Sequence, residues 1–168
     1  MRRFMVIAIA MLAMSSIHAY QWQVGVDLRC VDSFFYPSVR LDGEFSYRFS
    51  EVRVTVPLRY AHSDTHELDF AETGLIVSVY PFDGLGFYAG VSLLRLGYAW
   101  GLEAPSDPFI LFSEAMIGWT FSFPWFFIEP RISITDAFSS EKGRLGAIRE
   151  AIPQYSTVRI SLIAGCAF

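Results

Sequence analysis

From Trp22 onward, apolar and polar residues alternate along the chain with a period of two. In the stretch 39–49, Val39 and Leu41 share one face with further apolar residues, whereas Arg40 and Asp42 share the other. Successive side chains of a β-strand point to opposite sides, so this alternation predicts strands with one apolar and one charged face. Apart from one short late segment, no window carries an apolar stripe of helical period. The sequence therefore predicts an all-β fold.

The alternation divides into eight runs. They cover 22–31, 39–49, 52–60, 71–80, 85–100, 111–123, 126–135 and 157–168. In the fifth run the apolar register slips at Leu93 and Leu94, which predicts a β-bulge. Pro57 and Pro130 fall inside runs, and each removes one ladder donor. We expect a bulge or a broken ladder bond at both prolines.

The connections alternate in length. Short turns are expected at 50–51, 81–84 and 124–125, and longer loops at 32–38, 61–70, 101–108 and 136–154. Short turns at one rim and long loops at the other, with an even strand count, predict an eight-stranded antiparallel up-and-down barrel. In the last loop Leu145, Ile148 and Ile152 have helical spacing, but two glycines favour an irregular loop over a short helix.

Composition shows that the apolar face needs apolar surroundings. The chain has 168 residues, enough for one domain, and is 53% hydrophobic and 17% aromatic, more than a soluble domain usually carries. Arg2 and Arg3, an apolar stretch and a small-residue site ending at Ala19 predict a signal peptide over 1–19 and a mature domain over 20–168. No later stretch is long enough for a transmembrane helix. A single lysine and a net charge of −4 argue against nucleic-acid binding.

Two features favour lipid outside the barrel and charge inside. Five of the eight runs are nine to eleven residues long, which suits a tilted strand crossing hydrocarbon. Aromatic residues concentrate at two heights, as bilayer interfaces select. The residues assigned to these interfacial girdles are Trp22, Tyr47, Phe49, Tyr80, Trp100, Trp119, Phe121, Phe123 and Trp125.

The last run ends on Phe168, with Cys166, Ala164, Leu162 and Ile160 alternating behind it. Together with the strand count and turn asymmetry, this resembles the small eight-stranded bacterial outer-membrane proteins of the OmpA, OmpX and OmpW type. The resemblance implies a transmembrane β-barrel in the outer membrane, with outer-membrane lipid and the barrel-assembly machinery as partners. It also implies that Phe168 is part of the signal that this machinery reads. It carries over no active site.

The polar face then lines a narrow lumen and must form an ion-pair network, because an unpaired buried charge costs several kcal/mol. We expect Arg59 to pair with Glu72 across a hairpin. Arg48 and Arg53 flank a short turn and are expected to need an anion or water. The residues assigned to the network are Asp27, Arg29, Arg40, Asp42, Glu44, Arg53, Arg59, Glu72, Glu114, Glu129, Arg131 and Arg159. Glu44, Glu114 and Glu129 are expected to meet Arg29, Arg131 and Arg159.

The leading functional hypothesis is a non-enzymatic barrel with a structural role, or one whose long loops bind a host or cell-surface ligand. The alternative is a narrow porin-like channel or carrier for small solutes. His62 and His66, with nearby serine and acidic residues, raise a weaker third hypothesis of a lipid-modifying enzyme. We expect no catalytic residues, metal or cofactor. Cys30 and Cys166 are expected at different heights, and hence as free thiols.

Overall fold

A computed structural model describes residues 22–35, 38–82, 85–102, 104–135, 142–152 and 155–168. The predicted signal peptide lies outside these ranges. Within them the strands are β1 (Trp22–Asp27), β2 (Ser38–Phe49), β3 (Val52–Ser63), β4 (Leu68–Val79), β5 (Phe87–Gly101), β6 (Phe109–Leu111), β7 (Glu114–Trp119), β8 (Phe121–Ser122), β9 (Phe126–Thr135) and β10 (Val158–Ala167). A 3-10 helix covers Leu28–Phe34, and an α-helix, α1, covers Lys142–Ala151. No helix in these ranges is long and apolar enough to span a membrane.

The strands form one closed antiparallel sheet. Neighbours pair in chain order from β1 to β5, and β10 pairs with both β9 and β1. The short strands β6, β7 and β8 lie between β5 and β9, where they together form one wall of the barrel. Because β6, β7 and β8 together count as one strand, the barrel has eight strand positions, or walls. The predicted eight-stranded antiparallel barrel is confirmed.

The strand lengths are less uniform than predicted, ranging up to 15 residues in β5. The first strand, β1, is shorter than expected and ends at Asp27. The Asp27 carboxylate accepts a hydrogen bond from the Arg29 amide at 3.0 Å. Such a local side-chain bond favours a turn over continued strand, and the 3-10 helix follows. The predicted loop 61–70 is wrong as well, because β3 and β4 extend until only residues 64–67 separate them.

The three predicted irregularities in the ladder are present. Leu75 pairs with Leu94 and Ile76 with Ser92, so Leu93 is the extra residue of a bulge. At Pro57 and Pro130 the ladders are interrupted and resume in the same register on either side. Each proline therefore breaks ladder bonding without adding a bulge, as expected from its missing N–H.

The last connection contains α1, so the favoured prediction of an irregular loop is wrong. Ile148 and Ala151 of the helix, followed by Ile152 and Tyr155, are buried against the loop-side end of the barrel interior. Their barrel partners are Ala61, Leu68, Phe70, Ala99, Ile110 and Phe112. Burial of this apolar face stabilises a helix that its glycines alone would disfavour.

Candidate functional site

The charged face lies inside the barrel, as predicted. Arg40 is 1% exposed, whereas its strand neighbour Leu41 is 59% exposed. Among the described residues the buried charged side chains comprise six arginines and six carboxylates: Arg40, Arg53, Arg59, Arg95, Arg131, Arg159, Asp27, Asp42, Glu44, Glu72, Glu114 and Glu129. This interior network of the described residues is therefore formally neutral.

Glu129 is the centre of the half of the network nearer the short turns. Its carboxylate is fully buried and accepts hydrogen bonds from Arg53 at 2.5 and 3.0 Å. It also accepts from Arg131 at 2.6 Å, from the Thr120 hydroxyl at 2.9 Å and from the Tyr88 hydroxyl. Two guanidinium groups thus share one carboxylate, Arg53 of β3 from across the lumen and Arg131 from the same strand as Glu129.

Arg131 extends this cluster to the opposite wall. Its Nη2 contacts both Glu44 oxygens, at 2.8 and 2.9 Å, and its Nε donates to the Tyr88 hydroxyl at 2.9 Å. The expected meeting of Glu44 and Glu129 with Arg131 is confirmed. Since Glu44 belongs to β2 and Glu129 to β9, the ion pairs of Arg131 connect strands that are not neighbours. They therefore constrain the distance between these two strands across the lumen.

The half of the network nearer the loops is organised around Glu114. Arg59 donates to Glu72 at 2.6 Å, which is the predicted cross-hairpin pair, and lies 3.5 Å from Glu114. Arg159 donates to Glu114 at 3.2 Å, also as expected. Arg95 contacts both Glu72 and Glu114. Four strands, β3, β5, β7 and β10, meet through this one carboxylate.

Asp27, Arg40 and Asp42 complete the network at the seam near β1. Arg40 donates through Nη2 to Asp27 and through Nε to Asp42, both at 2.9 Å. Asp42 also lies 3.7 Å from Arg59, which joins this group to the Glu114 cluster. The carboxylate of Asp27 therefore both ends β1 and anchors an arginine of β2.

Arg95 was not among the predicted network residues, although the sequence carried a signal for it. The bulge at Leu93 shifts the later part of β5, so that Leu94 and Leu96 point outward and Arg95 points inward. When the alternation is shifted by one residue after the bulge, Arg95 falls on the same face as the other lumen residues. The sequence could therefore have predicted its inward position.

Three assignments made from the sequence need correction. Arg29 lies in the 3-10 helix rather than in β1, where it donates to the Ile160 carbonyl at 2.6 Å, and it is not one of the buried charged side chains. Arg48 and Arg53 are paired in register, but Arg48 stacks 3.8 Å above the Tyr80 ring and Arg53 binds Glu129. Both arginines therefore have partners within the protein, Arg48 also donating to the Ser50 carbonyl at 3.1 Å. Tyr80 is only 1% exposed and points inward, because it follows the outward Val79.

The other predicted girdle residues lie on the outer face at the two rims. Near the short turns, Trp22 contacts Phe45 and Tyr47, with ring centroids 5.1 and 4.4 Å apart. Nearer the loops, Tyr98 contacts Trp100 at 5.7 Å and Phe109 at 4.9 Å. Phe49 and Trp125 are exposed, and Trp119, Phe121 and Phe123 are partly exposed on the same face as Trp125.

Among the described residues, the charge network and the apolar cluster beneath α1 occupy the interior between the rims. At the loop side, Ile148 of α1 and Tyr155 pack into the mouth, with the Tyr155 ring edge-on to Phe70 at 5.0 Å. Burial raises the pKa of the Tyr155 phenol above its ordinary value, and the neighbouring Asp42 carboxylate raises it further. Beside Asp42 and Glu44 a void of about 10 Å³ remains, about the size that holds one water molecule.

His62, His66 and the nearby Ser63, which raised the hypothesis of a lipid-modifying enzyme, do not form the geometry expected of a serine nucleophile beside its histidine base. His62 lies at the end of β3 rather than in a loop, on the outer face, 2.9 Å from Asp69 and 3.0 Å from Asp64. Ser63 is 1% exposed and points into the barrel, so its hydroxyl and the imidazole lie on opposite sides of the wall. His66 lies in the turn between β3 and β4. Within the described ranges no group of three or more His, Cys, Asp or Glu residues is placed to hold a metal ion.

The two ends of the described barrel meet at the short-turn rim. Trp22 and Phe168 exchange two backbone hydrogen bonds, at 3.1 and 3.0 Å, so the seam between β1 and β10 is paired as far as Phe168. Cys30 and Cys166 are both free thiols, as predicted.

Comparison with known proteins gives no match to a family model, a curated protein or a solved structure.

Proposed function

We propose that this chain is an integral outer-membrane β-barrel whose filled, salt-bridged interior does not conduct and performs no catalysis. The observation that carries the proposal is the inverted distribution of polarity. Large apolar side chains such as Leu41, Leu58 and Ile160 are about 60% exposed on the outer wall, while twelve charged side chains in the described part of the chain are buried inside. A water-soluble barrel of this kind would expose its apolar face to water at a large free-energy cost.

Membrane location is tested by fractionation of cells that express the full chain. We expect the protein in the outer-membrane fraction, resistant to extraction with alkaline carbonate, and migrating faster on gels without heating than after heating. Recovery in the soluble fraction would contradict the proposal. Removal of Phe168, whose backbone closes the seam with Trp22, is expected to reduce the amount that reaches the membrane, as the proposed recognition by the assembly machinery requires.

Conductance separates the non-conducting barrel from the porin-like alternative. The ion pairs around Glu129 and Glu114 cross the lumen, and α1 covers its loop-side mouth. We therefore expect no reproducible openings in planar bilayers, with a known porin as the positive control for insertion. Reproducible single-channel steps from the wild-type protein would overturn the non-conducting barrel and favour the channel.

A structural or surface-display role follows from this proposal. The network joins β1, β2, β3, β4, β5, β7, β9 and β10 and makes a rigid support for the connections at the loop-side rim. In such a barrel the loops are the part that faces the exterior, where a host or cell-surface ligand would bind. Deletion of the gene should change envelope permeability or surface adhesion without changing the lipid profile, and an altered lipid profile would favour an enzyme.

A further inference from the structure

The outer wall of the barrel carries an apolar groove of about 820 Å³, within the roughly 300–1,000 Å³ typical of small-ligand pockets. The groove lies across β2, β3, β4 and β5 in the half of the wall nearer the loops. The strand registers arrange much of its lining in two rows, Leu41–Tyr60–Ala71–Tyr98 nearer the loops and Gly43–Leu58–Thr73–Leu96 below it.

Small residues form the floor of the groove. Ala71 and Thr73 stand between large side chains in these rows, and Gly43 lies between Leu58 and Val26 of β1. Packing of the barrel does not require glycine at position 43, because a Cβ built there would lie no closer than 3.8 Å to any neighbour. By contrast, a Cβ at Gly165 would lie 2.0 Å from the Val24 carbonyl. The depression at Gly43 is thus a feature of the outer surface, and the fold would tolerate its filling.

The chemistry of the lining selects the occupant. Along the two rows, β3 and β4 are paired to neighbours on both sides, and the Tyr60 hydroxyl donates to Asp69 at 2.5 Å. A peptide in the groove would therefore leave its own backbone donors and acceptors without partners, which is costly. An acyl chain has no polar atoms to satisfy, and the groove is continuous with the exposed apolar wall.

We propose that the groove binds one acyl chain of a membrane lipid from the leaflet on the loop side. This inference rests on the proposed membrane location. The loop-side row carries Tyr60 and Tyr98, and the polar pair His62–Asp69 lies just beyond it. A lipid headgroup at that level would place its chain along Ala71 and Gly43 toward the middle of the wall.

Groove-filling substitutions test the site. Gly43→Leu and Ala71→Phe fill the floor, and Ala164→Leu enlarges an outer-wall residue of β10 that does not line the groove. The full-length proteins are extracted from membranes in mild detergent, and retained lipid is counted and identified by native mass spectrometry. We expect wild type and Ala164→Leu to retain a lipid, and the two groove variants to retain at least tenfold less.

The outcomes separate this proposal from the proposed function. If all four proteins insert and show heat-modifiable gel mobility, but wild type retains no lipid or the groove variants retain as much as wild type, the acyl-chain site is wrong and the membrane barrel stands. A dimer that Gly43→Leu dissociates would assign the groove to a second copy and also overturn the acyl-chain site. Wild-type protein that fails to enter the membrane would overturn both proposals.

Discussion

Replacement of Glu129 by glutamine perturbs the interior network at its most connected point. The carboxylate is fully buried and serves Arg53 at 2.5 and 3.0 Å and Arg131 at 2.6 Å. Glutamine keeps the shape of the side chain but carries no charge and only one acceptor oxygen. Arg53 then loses its buried counter-charge, whereas Arg131 keeps Glu44.

The magnitude follows from the burial of both partners. Breaking a buried ion pair by removal of one partner costs about 3–5 kcal/mol. Since a tenfold change in an equilibrium constant corresponds to about 1.4 kcal/mol, the folding equilibrium should fall between about one hundred-fold and a few thousand-fold. Glu51→Gln is the matched control, because Glu51 is exposed in the turn between β2 and β3, where surface changes are usually within about 0.5 kcal/mol.

Urea unfolding of the protein in lipid vesicles, followed by tryptophan fluorescence and by gel mobility of unheated samples, measures the loss. The double variant Arg53→Met with Glu129→Gln removes the stranded charge as well, so it should be less destabilised than the sum of the two single variants. A loss below about 1 kcal/mol for Glu129→Gln, or simple additivity in the double variant, would refute the proposed role of this ion pair in stability.

Three further predictions concern the plug, the seam and the thiols. Ile148→Asp places a charge in the apolar cluster beneath α1, so proteolysis of residues 142–152 in folded protein should accelerate at least tenfold; unchanged cleavage would show that α1 is not held by this contact. Gly165→Ala should lower the urea midpoint, because its Cβ would meet the Val24 carbonyl at 2.0 Å, whereas Gly43→Ala should not. Equal midpoints for the two variants would contradict the close approach of β1 and β10 at Gly165. Mass spectrometry after thiol labelling without reductant should find two labelled cysteines, and a mass without labels would indicate a disulfide.

The alternation of residue types was sufficient to predict the eight walls of the barrel, although not the ends of β1, β3 and β4, and one ion pair between adjacent strands. A hairpin places its residues symmetrically about the turn, so the pair Arg59–Glu72 could be predicted from position alone. The same reasoning placed the bulge at Leu93, since a single extra residue reverses the faces of everything after it.

Contacts across the lumen were harder to predict. Arg53 and Glu129 are 76 residues apart and lie on walls that are not neighbours, so no register relates them. Tyr80 was assigned to a girdle because aromatic residues favour interfaces, yet inside the barrel its ring supports Arg48. The helix α1 depends on burial of Ile148 and Ile152 in the mouth of the barrel, which the spacing within the loop does not reveal.

Fluorescence quenching of the native tryptophans by brominated lipids tests the central claim most directly. The chain has four tryptophans, and Trp22, Trp100, Trp119 and Trp125 all lie on the outer face near one rim or the other. In reconstituted wild-type protein, quenching should be strongest when the bromines lie near the headgroup, and should weaken toward the end of the acyl chain. Absence of quenching at every bromine position would contradict an outer wall that faces lipid.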